Sequence, residues 1–226
     1  MYSYRYPRPA LTVDIVIFSL INNRLHTLLI KRANDPYAHH WALPGGFVDI
    51  SEGLEEAALR ELKEETNISI AFLEQLYTFG DPQRDPRGRV ISVAYYTLIP
   101  KRDSPDIQSG SDASEVKWFA VNSLPELAFD HRSIIGCAIE RLKCKLLQTA
   151  IGFLLMPDRF TLQEMQRTYE FILEHKLERI DFRNRMIKSG IIEPVLKHRI
   201  EKRQRNRLYR FCNEAVIKLT LKTNCH

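Results

Sequence analysis

Residues 45–68 read GGFVDISEGLEEAALRELKEETNI, and the fold turns on why RELKEE, residues 60–65, crowds three carboxylates. Ala, Leu, Glu and Lys favour helix, so residues 51–67 predict one. With Leu54 at 0° and about 100° per residue, Ala58 falls at about 40°, Leu62 at about 80° and Ala57 at about 300°. Glu61 then lies at about 340° and Glu65 at about 20°, inside the apolar stripe, with Glu64 at about 280° on its border. Lys63 and Glu56 point the opposite way. A solvated helix turns its charges from the core, whereas carboxylates on the packing side suffer desolvation and mutual repulsion. A cation should offset that cost. An all-oxygen donor set with no matching Cys or His cluster favours Mg²⁺ or Mn²⁺ over Zn²⁺.

The same stretch resembles the Nudix box: a glycine, five residues, a glutamate, seven residues, then Arg-Glu-apolar-any-Glu-Glu-any-Gly-apolar. The matching positions are Gly46, Glu52, Arg60, Glu61, Leu62, Glu64, Glu65 and Ile68, with Asn67 in place of the final glycine. Asn tolerates the left-handed conformation best among non-glycine residues, so the helix can still end there. The preceding WALPGG matches the strand and turn that enter this box. The resemblance implies an α/β/α sandwich with a mixed sheet and hydrolysis of a nucleoside diphosphate linked to another group, by water attack on the pyrophosphate. It implies Glu61, Glu64 and Glu65 as metal ligands, with the Gly45 carbonyl as a further one. Glu52 and Arg60 would steady the loop and helix as an ion pair. The general base in this family is either a box glutamate or a carboxylate from a distant loop. Asp112 and Glu115, in SGSDASEVKW, are candidates for the second role, and surface-loop acids are an equally good reading.

Outward from the box, the first module alternates strands and helices. LTVDIVIFSL and LHTLLIKR, joined across Asn22-Asn23, predict a hairpin. ISIAFLEQLYTFG, VISVAYYTLIP and EVKWFAV predict further strands, and residues 127–150 a second helix with Asp130 placed to cap it. DPQRDPRGRVISVAYY and LPELAFDHRSII resemble the Nudix branch that handles ADP-ribose and related NAD-derived molecules. Arg84, Arg87 and Arg89 sit where guanidinium groups can grip phosphate oxygens, and so does Arg32 at the end of the second strand. Together with Glu115 these form the substrate-binding set. No spacing supports an acid–base role for His39, His40 or His131. Trp41 and Tyr37 suit either packing or base stacking.

Charge divides the chain. Of 33 Lys+Arg and 28 Asp+Glu, residues 1–150 hold 17 and 19, and residues 151–226 hold 16 and 9. A near-neutral body with a basic tail predicts two modules, 1–150 and 151–226, with different partners. The tail opens with Thr161 and Glu164 in capping-box spacing before an amphipathic helix, then a shorter helix, DFRNRMIKSG, ended by Gly190. Two strands around a basic turn follow. Helix, helix, hairpin is the outline of a winged helix, which places Arg183, Arg185 and Lys188 on the helix that enters DNA. Lys202, Arg203, Arg205 and Arg207 then fall on a wing that touches phosphates.

A Nudix domain followed by a winged helix resembles the Nudix-related transcriptional regulators of NAD metabolism, and FTLQEMQRTYEFILEHKLERIDFRNRMIKSGIIE is similar to their tail. That resemblance implies a homodimer that binds ADP-ribose or a similar metabolite and double-stranded DNA. Many such regulators have lost box residues, whereas every acidic position and Arg60 are present here. IEKRQRNRLYRF stands where a Gly-Arg-Pro-like wing is expected. The enzyme reading, Mg²⁺-dependent hydrolysis of ADP-ribose, ranks first, and an ADP-ribose-sensing repressor is the alternative. No run of about 18 apolar residues predicts a membrane span. Four cysteines without CxxC spacing predict reduced thiols and a cytoplasmic protein.

Overall fold

Asn22 (φ 50°) and Asn23 (φ 60°) close a two-residue turn, the geometry whose twist matches paired strands. They join β1 (Ala10–Ile21) to β2 (Arg24–Arg32) in antiparallel register, Ile21 opposite Arg24 and Phe18 opposite Thr27. The computed structural model describes residues 5–70, 72–99, 113–195 and 207–214. Within them β3 (Trp41–Ala42), β4 (Gly45–Phe47), β5 (Glu74–Phe79), β6 (Val90–Leu98) and β7 (Ala113–Ala120) complete a seven-stranded sheet. Its path runs β3-β2-β1-β6-β5, with β4 on β1 and β7 on β2. β1 and β6 are parallel and the other pairs antiparallel, so the sheet is mixed.

Burial on both faces explains why β1 reads as an almost unbroken apolar run. Val13, Ile15 and Ile17 pack against Ala57, Ala58 and Leu62 of α1 (Leu54–Thr66). Val16 and Phe18 share the opposite layer with Ile134, Ile135 and Ala138 of α2 (His131–Leu146). On α1, Glu65 is buried beside Ala58 and Leu62, while Glu56, Lys63 and Glu64 are exposed. Asn67 ends the helix at φ 55°, its amide donating to the Lys63 carbonyl at 3.0 Å. Asp130 does occupy the N-cap of α2, but its side chain makes no cap hydrogen bond. It accepts two hydrogen bonds from Arg84 instead, because a bidentate charged pair outweighs one helix N–H.

The tail forms β8 (Phe160–Thr161), α3 (Leu162–Leu173), α4 (Arg179–Lys188), β9 (Ile192–Pro194) and β10 (Leu208–Phe211). The Thr161–Glu164 capping box is closed both ways: Glu164 N donates to the Thr161 hydroxyl and Thr161 N to the Glu164 carboxylate. Gly190 follows α4 at φ 67°. The strands order as β8-β10-β9, and β8 has no counterpart in the sequence reading. The basic turn at 196–206 lies outside the described residues.

The two halves share one core. Phe160, Met165, Tyr169 and Ile172 join Leu142 and Leu146 of α2 and Ile151 in a single buried cluster. A 3-10 helix, Ala150–Leu154, bridges them, and Tyr169 lies so close to Gly152 that any Cβ there would meet its ring carbons at 3.1 Å. Lys143 on α2 pairs with Glu174 just past α3, at 3.2 Å.

Candidate active site

Arg60, on α1, is the hub of the box. Its guanidinium holds Glu52 through two hydrogen bonds (2.7 and 3.0 Å), Glu61 at 2.8 Å, Glu64 at 3.2 Å and the Phe47 carbonyl at 3.2 Å. Glu52 in turn accepts from the Asp49 amide at 2.8 Å, so the loop before α1 is tied to the helix. The Arg60 hydrogen bond and the Asp49 amide hold the Glu52 carboxyl at about 2, well below its usual value. Glu61 behaves in the opposite sense: burial pushes it up, and the Arg60 pair does not fully compensate. Glu65 accepts from the Gly45 amide at 2.8 Å. Gly45 has φ 152°, and a Cβ there would collide with the Val13 carbonyl, so only glycine lets β4 lie against β1 here.

A cleft of about 410 Å³ opens beside these groups, walled by Gly45, Gly46, Arg60, Glu61 and Glu65 on one side. Its floor is a buried polar network. Asp14 accepts from Arg84 (3.3 Å), from the Ser92 hydroxyl and from His131 Nε2 (3.3 Å). The Leu43 amide donates to His131 Nδ1 at 2.9 Å. An amide can only donate, so Nδ1 carries no proton and Nε2–H faces Asp14. Arg84, 4% exposed, also forks onto Asp130 at 2.7 and 3.0 Å. Burial alone would push Asp14 up; His131, Ser92 and Arg84 outweigh it and hold the carboxyl at about 2.

The mouth is cationic and aromatic. Arg32 lies 4.9 Å from the Phe129 ring centroid, and Arg87 lies 5.5 Å from the same ring and 5.0 Å from Phe47. Arg87 is forked onto Asp85, whereas the Arg32 guanidinium donates to the Pro36 and Asn34 carbonyls. Burial and the neighbouring Arg87 lower the pKa of Arg32, a strain that an anionic ligand would relieve. Two guanidiniums against aromatic faces at the rim of a carboxylate-walled cleft suit a diphosphate carrying a metal.

The structure therefore brings Arg32, Arg84, Arg87, Arg60, Glu61, Glu65 and Gly45 to one cleft. Glu52 and Glu64 stand behind it, on Arg60. Arg89 lies apart, donating to the Gly80 carbonyl at 2.6 Å. Glu115 is on β7, half-exposed and paired with Lys31 at 3.7 Å, away from the cleft. Asp112 lies outside the described residues. Asp14 and Asp85 have no place in the sequence expectations, Asp130 has one only as a helix cap, and the part played by His131 is not among them. One signal was available, an aspartate inside LTVDIVIF.

Among the described residues no three His, Cys, Asp or Glu side chains converge to hold a metal by themselves. Mg²⁺-like ions keep several waters and need only one or two carboxylates together with substrate phosphates. Glu61 and Glu65 on the cleft wall, all-oxygen donors with Gly45 beside them, fit a divalent ion bound in that way.

In the tail, Phe182 and Met186 of α4 are buried, and Arg183, Arg185 and Lys188 are exposed. Arg207 lies 5.9 Å from the Tyr209 ring centroid. Lys202, Arg203 and Arg205 lie outside the described residues.

Residues 10–136 match the NUDIX domain family, and residues 152–211 match the NrtR DNA-binding winged helix domain. The chain is 42% identical over 210 residues to the ADPR responsive transcriptional repressor NtrR of Acinetobacter baylyi, covering 91% of this chain and 83% of that one. It is 43% identical over 130 residues to the ADP-ribose pyrophosphatase of Methanocaldococcus jannaschii, covering 58% of this chain and 73% of that one. Shewanella oneidensis NrtR in complex with a 27mer DNA superimposes with a TM-score of 0.75 at 32% identity, over 92% of this chain and 95% of that one.

Proposed function

We propose, from the premise that this chain belongs to the Nudix family and carries an NrtR-type winged helix domain, that it binds ADP-ribose in the cleft and hydrolyses its pyrophosphate. One observation carries this reading: a box that has every acidic position and Arg60, with Asn67 for its final glycine, walls a cleft whose rim holds Arg32 and Arg87 over Phe129. A bound divalent ion, Mg²⁺ or Mn²⁺, would neutralise phosphate charge and supply a water nucleophile at neutral pH. Glu61 and Glu65 would hold it with the Gly45 carbonyl, and Glu64 would join them on leaving Arg60. Arg60 and Glu52 fix the angle at which α1 presents these carboxylates. Arg32 and Arg87 take phosphate oxygens, and Arg84 keeps the floor rigid through Asp14 and Asp130. With Glu115 outside the cleft lining and paired with Lys31, the remaining candidate for the general base among the described residues is a box glutamate.

The test is Glu61→Gln. The variant should keep ADP-ribose binding within about tenfold while AMP release falls by at least about a hundredfold. Unchanged release would remove Glu61 from the metal site, and loss of binding with folding intact would make it a ligand contact instead.

A second reading stands beside the first. The winged half shares its core with α2, whose N-terminal Asp130 and His131 belong to the cleft floor. We infer a cytoplasmic homodimeric repressor, functionally divided at 1–150 and 151–226, that holds operator DNA and releases it when ADP-ribose fills the cleft. Retained hydrolysis would end its own signal. Fluorescence anisotropy of a labelled duplex should fall as ADP-ribose is added; an unchanged signal would uncouple the halves.

A further inference from the structure

The exposed face of α4 carries a composition that electrostatic attraction to phosphates does not explain. Phe182 and Met186 are buried and define the inward side. Setting Phe182 at 0° puts Met186 at about 40°, so the outward pole lies at about 200°, where Asn184 stands. Ile180 at about 160° and Ile187 at about 140° border it, and Lys188 stands at about 240°. Arg183 and Arg185 fall at about 100° and about 300°, one on each shoulder. Ile180 is 66% exposed and Ile187 45% exposed, and the Asn184 side chain makes no hydrogen bond among the described residues. A solitary exposed isoleucine is ordinary. Two on a single stripe, bracketing an unpartnered carboxamide between arginines, are not what a merely solvated helix needs.

Each group on this stripe has a counterpart in one kind of base pair. An asparagine amide matches adenine N6 and N7 with two hydrogen bonds, and an apolar side chain matches the thymine 5-methyl. An A·T pair offers both in the major groove, whereas G·C offers neither and calls for arginine or lysine at the pole. Arg183 and Arg185, on opposite shoulders, are placed to reach the two phosphate backbones. Asp181 in the first turn offsets part of that charge, leaving the C-terminal half of the face the more cationic. From Ile180 to Ile187 the helix rises about 10 Å, about three base pairs.

Resting on the DNA-binding reading above, we propose that the Ile180–Asn184–Ile187 stripe reads A·T pairs in the major groove, Asn184 taking an adenine and the isoleucines thymine methyls within about three base pairs. Arg183 and Arg185 set affinity and the stripe sets sequence.

The experiment selects binding sites from randomised duplexes with the full chain, then measures affinities on the selected duplex. Wild type should recover half-sites with an A·T core. Asn184→Ala should lose preference at one A·T position and weaken binding about tenfold, with its salt slope unchanged. Replacing thymine by uracil should weaken wild type severalfold and leave Ile187→Ala or Ile180→Ala indifferent at the matching position. Arg183→Ala with Arg185→Ala should instead flatten the salt slope by about two and leave the selected sequence alone. A selected core of G·C pairs, no sequence preference, or an Asn184→Ala variant with the wild-type site would each overturn the proposal while leaving DNA binding intact. Absence of duplex binding even at low salt would overturn both. All these side chains are exposed, so melting temperatures near wild type should accompany every variant.

Discussion

Inside the apolar run LTVDIVIF, Asp14 stays ionised because three donors converge on it: Arg84, Ser92 and His131 Nε2. Its carboxyl lies at about 2 in the folded chain against an ordinary 3.8. A carboxyl depressed in this way contributes stability that is present above about pH 4 and is lost as pH falls through about 2. Asp14→Asn should therefore melt lower at pH 7 and show a flatter decline of melting temperature between pH 4 and pH 2 than wild type. Parallel declines would assign the acid sensitivity elsewhere. A charge in a strand with two buried faces was legible as an anomaly, but its partners were not. Arg84 and Asp130 lie 70 and 116 residues along the chain from Asp14, and nothing local relates them. Arg84 was singled out as a phosphate grip, whereas in the structure its hydrogen bonds to Asp130 and Asp14 make it a brace for the floor.

At the scale of elements, α1 shows what periodicity can carry. The wheel placed Glu65 with Ala58 and Leu62 and sent Lys63 outward, and the burial pattern agrees. Its end at Asn67, with φ 55°, follows from the residue's tolerance of left-handed backbone. Asn67→Gly should leave stability within about 0.5 kcal/mol of wild type, and Asn67→Ala should lower it by about 1 kcal/mol. Chemical denaturation of the three proteins measures this, and equal midpoints would mean that the cap carries no energy. Of the two-residue strands, β3 was reached only through the resemblance of WALPGG, and β8 was illegible for a physical reason. Both are too short for any alternation, and each exists only because a distant strand, β2 or β10, pairs with it.

Across the whole molecule, the charge split pointed to two modules with different partners, and each half has its own sheet. The core, however, does not divide with the charge: Tyr169 of α3 packs on Gly152 and joins α2 residues in one cluster. That continuity depends on which faces meet in space, which composition cannot report. A shared core predicts a single cooperative thermal transition for the full chain. Gly152→Ala should force Tyr169 away and loosen α3, which hydrogen exchange would detect as faster exchange in 162–173. ADP-ribose binding in the distant cleft should be unaffected by the same change. Unaltered exchange with an unaltered melt would mean that the two halves do not depend on this contact.

Release of AMP from ADP-ribose by the purified full chain, with Mg²⁺ and then with EDTA, tests the cleft as a metal-dependent diphosphate site most directly. Release that requires Mg²⁺ and stops on chelation is the predicted result. No AMP under either condition, at substrate concentrations that saturate binding, would contradict the assignment of Glu61 and Glu65 as a working metal site.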